Sequence, residues 1–266
     1  MSFAVEGSRG PPETTQRHDI RFWLGCSIVR GTAQPVSAVV DPGDATWGVE
    51  THEWPNVSRV NVHHGPIASA VRRVAARLPH PIGQLIRSWF PGPFLPHNVV
   101  VKVTKPDWED EFDNEVMMYH KLQPVQGVVV PVFHGIISVS GRRALLLSDV
   151  GGKQLLAVTY SERGREELRA MLGTALRAIY ELGISPYDAN LLNCHVVNDR
   201  IVVVDHEQDE ELEQDLRHRV DELVEGKADS VMRRHWEVHK PVQARDRVAE
   251  NKAHEAWMSR NRHLLP

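Results

Sequence analysis

Between Gly183 and Gln208 the chain runs GISPYDANLLNCHVVNDRIVVVDHEQ, which sets a carboxylate at Asp188, an amide five residues on at Asn193, and a second carboxylate, Asp205, at the end of an apolar run. Asn198 and Asp199 make a polar turn between two short β-branched stretches, the second spanning Ile201 to Val204. Two strands joined by such a turn bring the three polar side chains to one end. That layout holds a divalent metal against a polyphosphate and orients a hydroxyl nucleophile. Taken alone, the same residues are also ordinary turn formers and a strand cap.

A second chemical signal lies upstream. Asn98 to Thr104, NVVVKVT, is a β-branched strand pattern interrupted by one lysine, Lys102. Burying an unpaired ammonium costs on the order of several kcal/mol, so a buried Lys102 requires a carboxylate partner. The next element supplies one: Trp108, Phe112, Glu115, Tyr119 and Leu122 are spaced 4, 3, 4 and 3 and share one helical face. Glu115 is the one carboxylate in that stripe. Glu109, Asp110, Glu111 and Asp113 fall largely outside it, near the helix N-terminus, where they favour the macrodipole. Taken singly, Lys102 is an edge-strand lysine and Glu115 a surface charge; jointly, and in this order before Asp188, they form a constellation.

DxxxxN followed by an apolar strand and Asp resembles the catalytic loop and metal-binding segment of the protein-kinase-like superfamily, which includes aminoglycoside phosphotransferase-like enzymes. Asp188 to Val197 and Val203 to Glu207, together with WEDEFDNEVMMYHKLQPVQGVVVPVFHG, are similar to a divergent group of fungal kinase-like proteins. The resemblance implies an α+β, two-lobed fold with a small antiparallel-sheet N-lobe and a reduced, mainly helical C-lobe. It implies ATP and Mg²⁺ as cofactors: Lys102, fixed by Glu115, on the α- and β-phosphates, Asn193 and Asp205 on the metal, and Asp188 orienting the attacking hydroxyl. Ser148, Asp149 and Val150, after the apolar run RRALLL, take the position of the hinge that binds adenine. The phosphate acceptor, a protein or a small molecule, is left open.

The pattern also departs from that family. No GxGxxG precedes Lys102, and the nearest glycine before it, Gly92, lies between two prolines. Pro186 and Tyr187 stand where protein kinases usually carry histidine and arginine. Asn190 replaces a lysine that neutralises the transferring phosphate, a cation worth roughly several kcal/mol in such a site. Asp205-His206-Glu207 keeps the metal-binding aspartate of a DFG-like tripeptide without its glycine, and no APE-like motif follows. Two expectations therefore stand: an atypical ATP-dependent phosphotransferase, or a pseudokinase that keeps the fold and acts through partners.

The elements that must position these residues are legible in outline. The 266 residues suffice for a sizeable core, and 41% hydrophobic with 25% charged residues is globular composition. A net charge of −4 favours neither nucleic acid nor an anionic membrane as partner. Two cysteines exclude a disulfide scaffold, and with no secretory h-region and no membrane-length apolar run they suggest a cytoplasmic, intracellular protein. Residues 1–18 read as a tail. Residues 19–147 read as N-lobe-like: a small sheet from Asp19 to His64 with turns at GTAQP, DPGD and WPN, an inserted helical segment over 67–89, and a helix over 107–123. Ile67, Ala70, Val71, Val74 and Leu78 suggest a helix docked by that apolar face. Residues 148–266 read as the reduced C-lobe, with a helix from Glu166 to Leu182 feeding the segment 183–208, then a charged helical tail expected to be a solvated face. His235 and His239 lack the HExxH pattern of a zinc protease and are expected at the surface.

Overall fold

The computed structural model describes residues 17–40 and 50–260, with side chains in 17–36 and 54–240. Strands β1 (His18–Leu24), β2 (Ser27–Val40) and β3 (Glu50–Val62) come first, then helices α1 (Pro66–Arg77) and α2 (His80–Trp89). Strand β4 (Asn98–Val103), helix α3 (Glu109–Lys121) and strands β5 (Phe133–Val139), β6 (Arg142–Ser148) and β7 (Lys153–Gln154) follow. The last part holds α4 (Arg165–Tyr180), β8 (Ile184–Ser185), β9 (Cys194–Val197), β10 (Arg200–Val203), β11 (Glu210–Glu211) and α5 (Val220–Arg260). The chain is thus mixed α+β. Residues 1–16 of the expected tail and the DPGD turn lie outside the described residues, while His18 already belongs to β1.

A curled, six-stranded antiparallel sheet has the order β1-β2-β3-β4-β6-β5. Its strand β4 explains why Lys102 sits where it does. Side chains alternate along a strand, so Val99 and Val101 sink into one face, among Phe22, Leu24, Val60, Val62, Ala144 and Leu146. Val100 and Lys102 therefore point to the other face, where α3 packs Phe112 and Tyr119 on Leu145 and Leu147. The predicted stripe of α3 holds: Phe112, Glu115, Tyr119 and Leu122 are all buried. The helix starts two residues later than predicted, after Asp107 turns the backbone left-handed at φ 61°.

Two local expectations are corrected. GTAQP and WPN do not end strands: β2 and β3 run through them, and their register slips between Pro35 and Val36, from Ser58 to Trp54 on the partner. A bulge absorbs the missing proline donors there. The segment 67–89 is two helices, with the second over the piece IGQLIRSWF that the sequence sets apart, and the break falls at Leu78 and Pro79. The α1 helix does not dock by the predicted face, since Ile67 is 78% and Val74 55% exposed. Its packed residue is Ala75, against Gly83 of α2, where an added Cβ would meet the Ala75 carbonyl at 2.8 Å.

The second core gathers Leu168, Leu172, Leu176 and Ile179 of α4, Ile201 and Val203 of β10, and Met118 and Leu122 from α3. Against these, α5 lays Val224, Ala228, Val231 and Met232. Over residues 220–240 the charged tail is therefore only half solvated. His235 and His239, expected at the surface, are buried as well, with His235 Nε2 at 2.8 Å from the Val158 carbonyl oxygen and His239 Nε2 at 3.0 Å from that of Leu156. Burial pulls the pKa of His235 down to about 4, so the ring is neutral and donates to its carbonyl. Among the described residues no helix is long and apolar enough to cross a membrane.

Candidate functional site

Lys102 leaves β4 toward α3 and meets three carboxylates. Its Nζ lies 2.7 Å from Glu115 Oε2, 2.5 Å from Asp205 Oδ1 and 3.0 Å from Glu207 Oε2. Lys105 holds the other oxygen of Glu207 at 2.7 Å. Burial alone would lower the Lys102 pKa, but the charges of Glu115, Asp205 and Glu207 outweigh it and hold the ammonium well above its usual range. Burial likewise pushes the Glu115 carboxyl up, and Lys102 offsets only part of this. One oxygen of Glu115, Oε1, is buried without a hydrogen-bond partner among the described residues. Two ammonium groups thus face three carboxylates, and oxygens of Glu115, Asp205 and Glu207 lie within 4.8 Å of one another. An excess of carboxylate oxygen over ammonium, with one buried oxygen of Glu115 left unsatisfied, is a donor set suited to a hard divalent cation.

The loop before β9 builds a second polar knot. Asp188 Oδ1 accepts from Asn190 Nδ2 at 2.9 Å and Oδ2 from Asn193 Nδ2 at 2.9 Å. Asn190 Oδ1 in turn accepts the backbone N–H of Leu192 at 2.8 Å and of Asn193 at 3.1 Å. The carboxylate is held by two amides, and the loop is closed by one of them. Val204 N–H donates to the Asn193 carbonyl at 2.8 Å, which fastens this loop beside Asp205. Asp205 itself has φ +67°. Asn198 and Ser140, also left-handed, sit in hairpin turns; Asp205 does not, and aspartate tolerates this region at a cost that tends to be retained at functional positions.

Seven of the eight predicted site residues line one cleft: Lys102, Glu115, Ser148, Asp149, Val150, Asn193 and Asp205. Val36, Trp54, Val57 and Arg59, from the β2–β3 hairpin, wall its other side. Arg59 pairs with Asp149 at 2.6 Å, and Ser148 exchanges a backbone and a side-chain hydrogen bond with Val132. Val150, by contrast, makes no hydrogen bond to a described residue, which leaves its backbone groups free for a ligand. The cavity is about 130 Å³, below the roughly 300 Å³ of a typical small-molecule site. Lys102 and Asp205, in contact with each other, both line it. Asp188 lines a second cavity, and its hydrogen bond from Asn193 joins the linings of the two.

Sequence reasoning missed several members of this arrangement. Glu207 was read only as the last residue of a tripeptide, although its spacing from Asp205 is that of residues on one side of an extended chain. Asn190 was read as a lost cation; an aspartate–asparagine pair two residues apart is a turn signal that pointed to its local role. Lys105 and the β2–β3 wall carried no signal. Cys194 takes no part as a nucleophile, because burial pushes its thiol up to about 12. No family model matches the chain, and no curated protein matches its sequence.

Proposed function

We propose that this chain is an atypical protein-kinase-like protein of two-lobed build, binding ATP and Mg²⁺ in the cleft between the curled sheet and the β9–β10 hairpin. The observation that carries the proposal is the meeting of Lys102, Glu115 and Asp205 from three separate elements, with Asp188 and Asn193 one loop away. On this reading Lys102 leaves Asp205 and turns to the α- and β-phosphates while Glu115 keeps hold of it. That movement also makes room in the cleft. Val150 offers its backbone to the adenine edge, and the β2–β3 hairpin serves as the cover that a Gly-rich loop supplies elsewhere.

Asp205 and Asn193 are the residues that would hold Mg²⁺, with Glu207 close enough to assist; the carboxylate excess and the unpartnered Glu115 oxygen support the fit. The cation would neutralise phosphate charge as the reaction proceeds. The protein then contributes placement. Asp188, oriented by its two amides, accepts a hydrogen bond from the acceptor hydroxyl and takes its proton as the oxygen bonds to phosphorus. A second reading, a pseudokinase that binds nucleotide without turnover, draws on the same closed cleft and on Asn190 standing where a cation is usual.

Thermal unfolding with ATP and Mg²⁺ tests the site. A ligand at about 100 times its Kd adds about 2.7 kcal/mol of stability, and the expected result is a rise in midpoint for wild type that Asp205→Ala and Lys102→Met abolish. No rise in wild type, or the same rise in Asp205→Ala, would sink the proposal. ADP release that Asp188→Asn removes while the thermal shift stays marks the enzyme. A shift with no ADP release marks the pseudokinase.

A further inference from the structure

Beside Asp188 a cavity of about 460 Å³ opens between the Tyr187–Leu191 loop and α5. That volume lies within the roughly 300–1,000 Å³ of small-molecule sites. Its charged lining is Asp188, Lys227, Arg233, Arg234 and Glu237. We propose that this cavity is the acceptor site, and that it takes a small hydroxyl compound that itself carries an oxyanion, a phosphate or a carboxylate. The inference rests on the phosphotransferase reading above and adds the class of substrate to it.

Apart from Glu237, which lines the cavity beside the arginines, the charges of α5 near α4 and the cavity are sorted by side. Its acids Asp221, Glu225 and Asp229 face α4, where Arg177 reaches Asp221 at 2.5 Å and Arg169 holds Asp229 at 2.9 Å and also Glu225. Its cations Lys227, Arg233 and Arg234 face the cavity instead, and neither arginine makes an ion pair with a described residue. Lys227 and Arg234 are seven residues apart, two helical turns on one stripe. Lys227 is fixed in place, its Nζ donating to the Tyr187 carbonyl at 2.6 Å. Burial pulls its pKa down, and the nearby Asp188 charge partly restores it.

These positions divide the work. Asn190 has turned inward to hold Asp188, so the loop offers no cation of its own. Lys227, arriving from α5, puts one beside the same carboxylate. Arg233 and Arg234, further along, present planar donors matched to phosphate or carboxylate oxygens. Three cations against two carboxylates, Asp188 and Glu237, leave the lining with a net positive charge, which disfavours a polycationic acceptor. In the transfer step the acceptor oxygen bonds to the γ-phosphorus, the bond from that phosphorus to the β–γ bridging oxygen breaks, ADP leaves, and the hydroxyl proton passes to Asp188.

The experiment compares matched acceptors on the full chain: glycerol, glycerol 3-phosphate, glycerate and the cationic 3-amino-1,2-propanediol. Binding is followed by calorimetry without nucleotide, and ADP release with ATP and Mg²⁺. Both anionic compounds are expected to bind and the other two not, with phosphate and carboxylate ranked by the comparison of the first pair. The exposed double change Arg233→Gln/Arg234→Gln should weaken anion binding by at least about ten-fold, the loss of one charge-assisted hydrogen bond. Its thermal shift with ATP and Mg²⁺ should stay that of wild type. Equal binding of the neutral or cationic compound, no binding of either anion, or anion binding untouched by the double change overturns the acceptor class and leaves the nucleotide site standing. Anion binding that depends on both arginines, in a protein that gives no shift with ATP, keeps an oxyanion site here and removes the phosphotransferase reading instead.

Discussion

His206 touches two acceptors at once. Its Nδ1 lies 2.7 Å from Asp209 Oδ2 and its Nε2 3.2 Å from the Val203 carbonyl oxygen, in a fully buried setting with the Tyr119 ring set edge-on. Two acceptors require two donors, which only the imidazolium has. Burial opposes the charge, but the Asp209 hydrogen bond and charge, with Glu115 and Asp205 beyond, win and raise its pKa above the ordinary histidine value. A raised folded pKa contributes stability that is complete below about 6.5 and is lost as pH rises through the folded value. Buried neutral histidines such as His235 act in the opposite sense at lower pH, so the quantity to measure is a difference. The gap in unfolding free energy between wild type and His206→Gln should be widest near about pH 5.5 and shrink toward about pH 9. A gap constant across that range would mean that the ring is neutral. Lys102 and Glu115 were legible because each is a charged residue inside an apolar period. His206 was not, since its partner three residues on lies in irregular chain with no period to reveal it.

Elements with a single buried stripe were also legible. The alternation of NVVVKV placed Lys102 opposite Val99 and Val101, and the 4-3-4-3 spacing of α3 placed Glu115 among aromatics. Where small residues make the contact, the apolar pattern misled: α1 packs by Ala75 and leaves Ile67 in solvent. In α5 the charges outnumber and hide a narrow apolar stripe, Val224, Ala228, Val231 and Met232, completed by His235. That stripe, not the ion pairs to α4, should fix the helix. Met232→Ala empties a fully buried position and is expected to cost about 2–5 kcal/mol. Arg177→Ala removes an exposed pair to Asp221 and is expected to leave the denaturation midpoint within error, since such pairs are screened and entropically expensive. Urea unfolding of the two variants decides the order, and an equal loss in both would assign the helix to its charges.

At the scale of the whole molecule, the elements of the site are also the elements that join the two cores. Helix α3 gives Phe112 and Tyr119 to the sheet side and Met118 and Leu122 to the helical side. Asn114, on the same helix, donates to the carbonyls of Glu207 at 3.1 Å and Asp209 at 2.9 Å, and Lys102 crosses from the sheet to Asp205. The sequence suggests an N-lobe-like and a C-lobe-like part, but not that one helix serves both sides, because a stripe of contacts does not reveal which partners it meets. The cluster of Phe112 and Tyr119 on Leu145 and Leu147 ties α3 to the sheet, and Met118 ties it to the helical core, so neither side is expected to unfold alone. Urea denaturation followed by tryptophan fluorescence and by far-UV circular dichroism should give coincident single transitions. In Lys102→Met three carboxylates lose their central cation, and breaking such a buried set costs about 3–5 kcal/mol. The unfolding free energy should fall by that amount in a transition that stays single, because Met118 and Leu122 still tie α3 to α4. Separate transitions in the variant would locate the coupling in the ion cluster, and separate transitions already in wild type would make the halves independent domains.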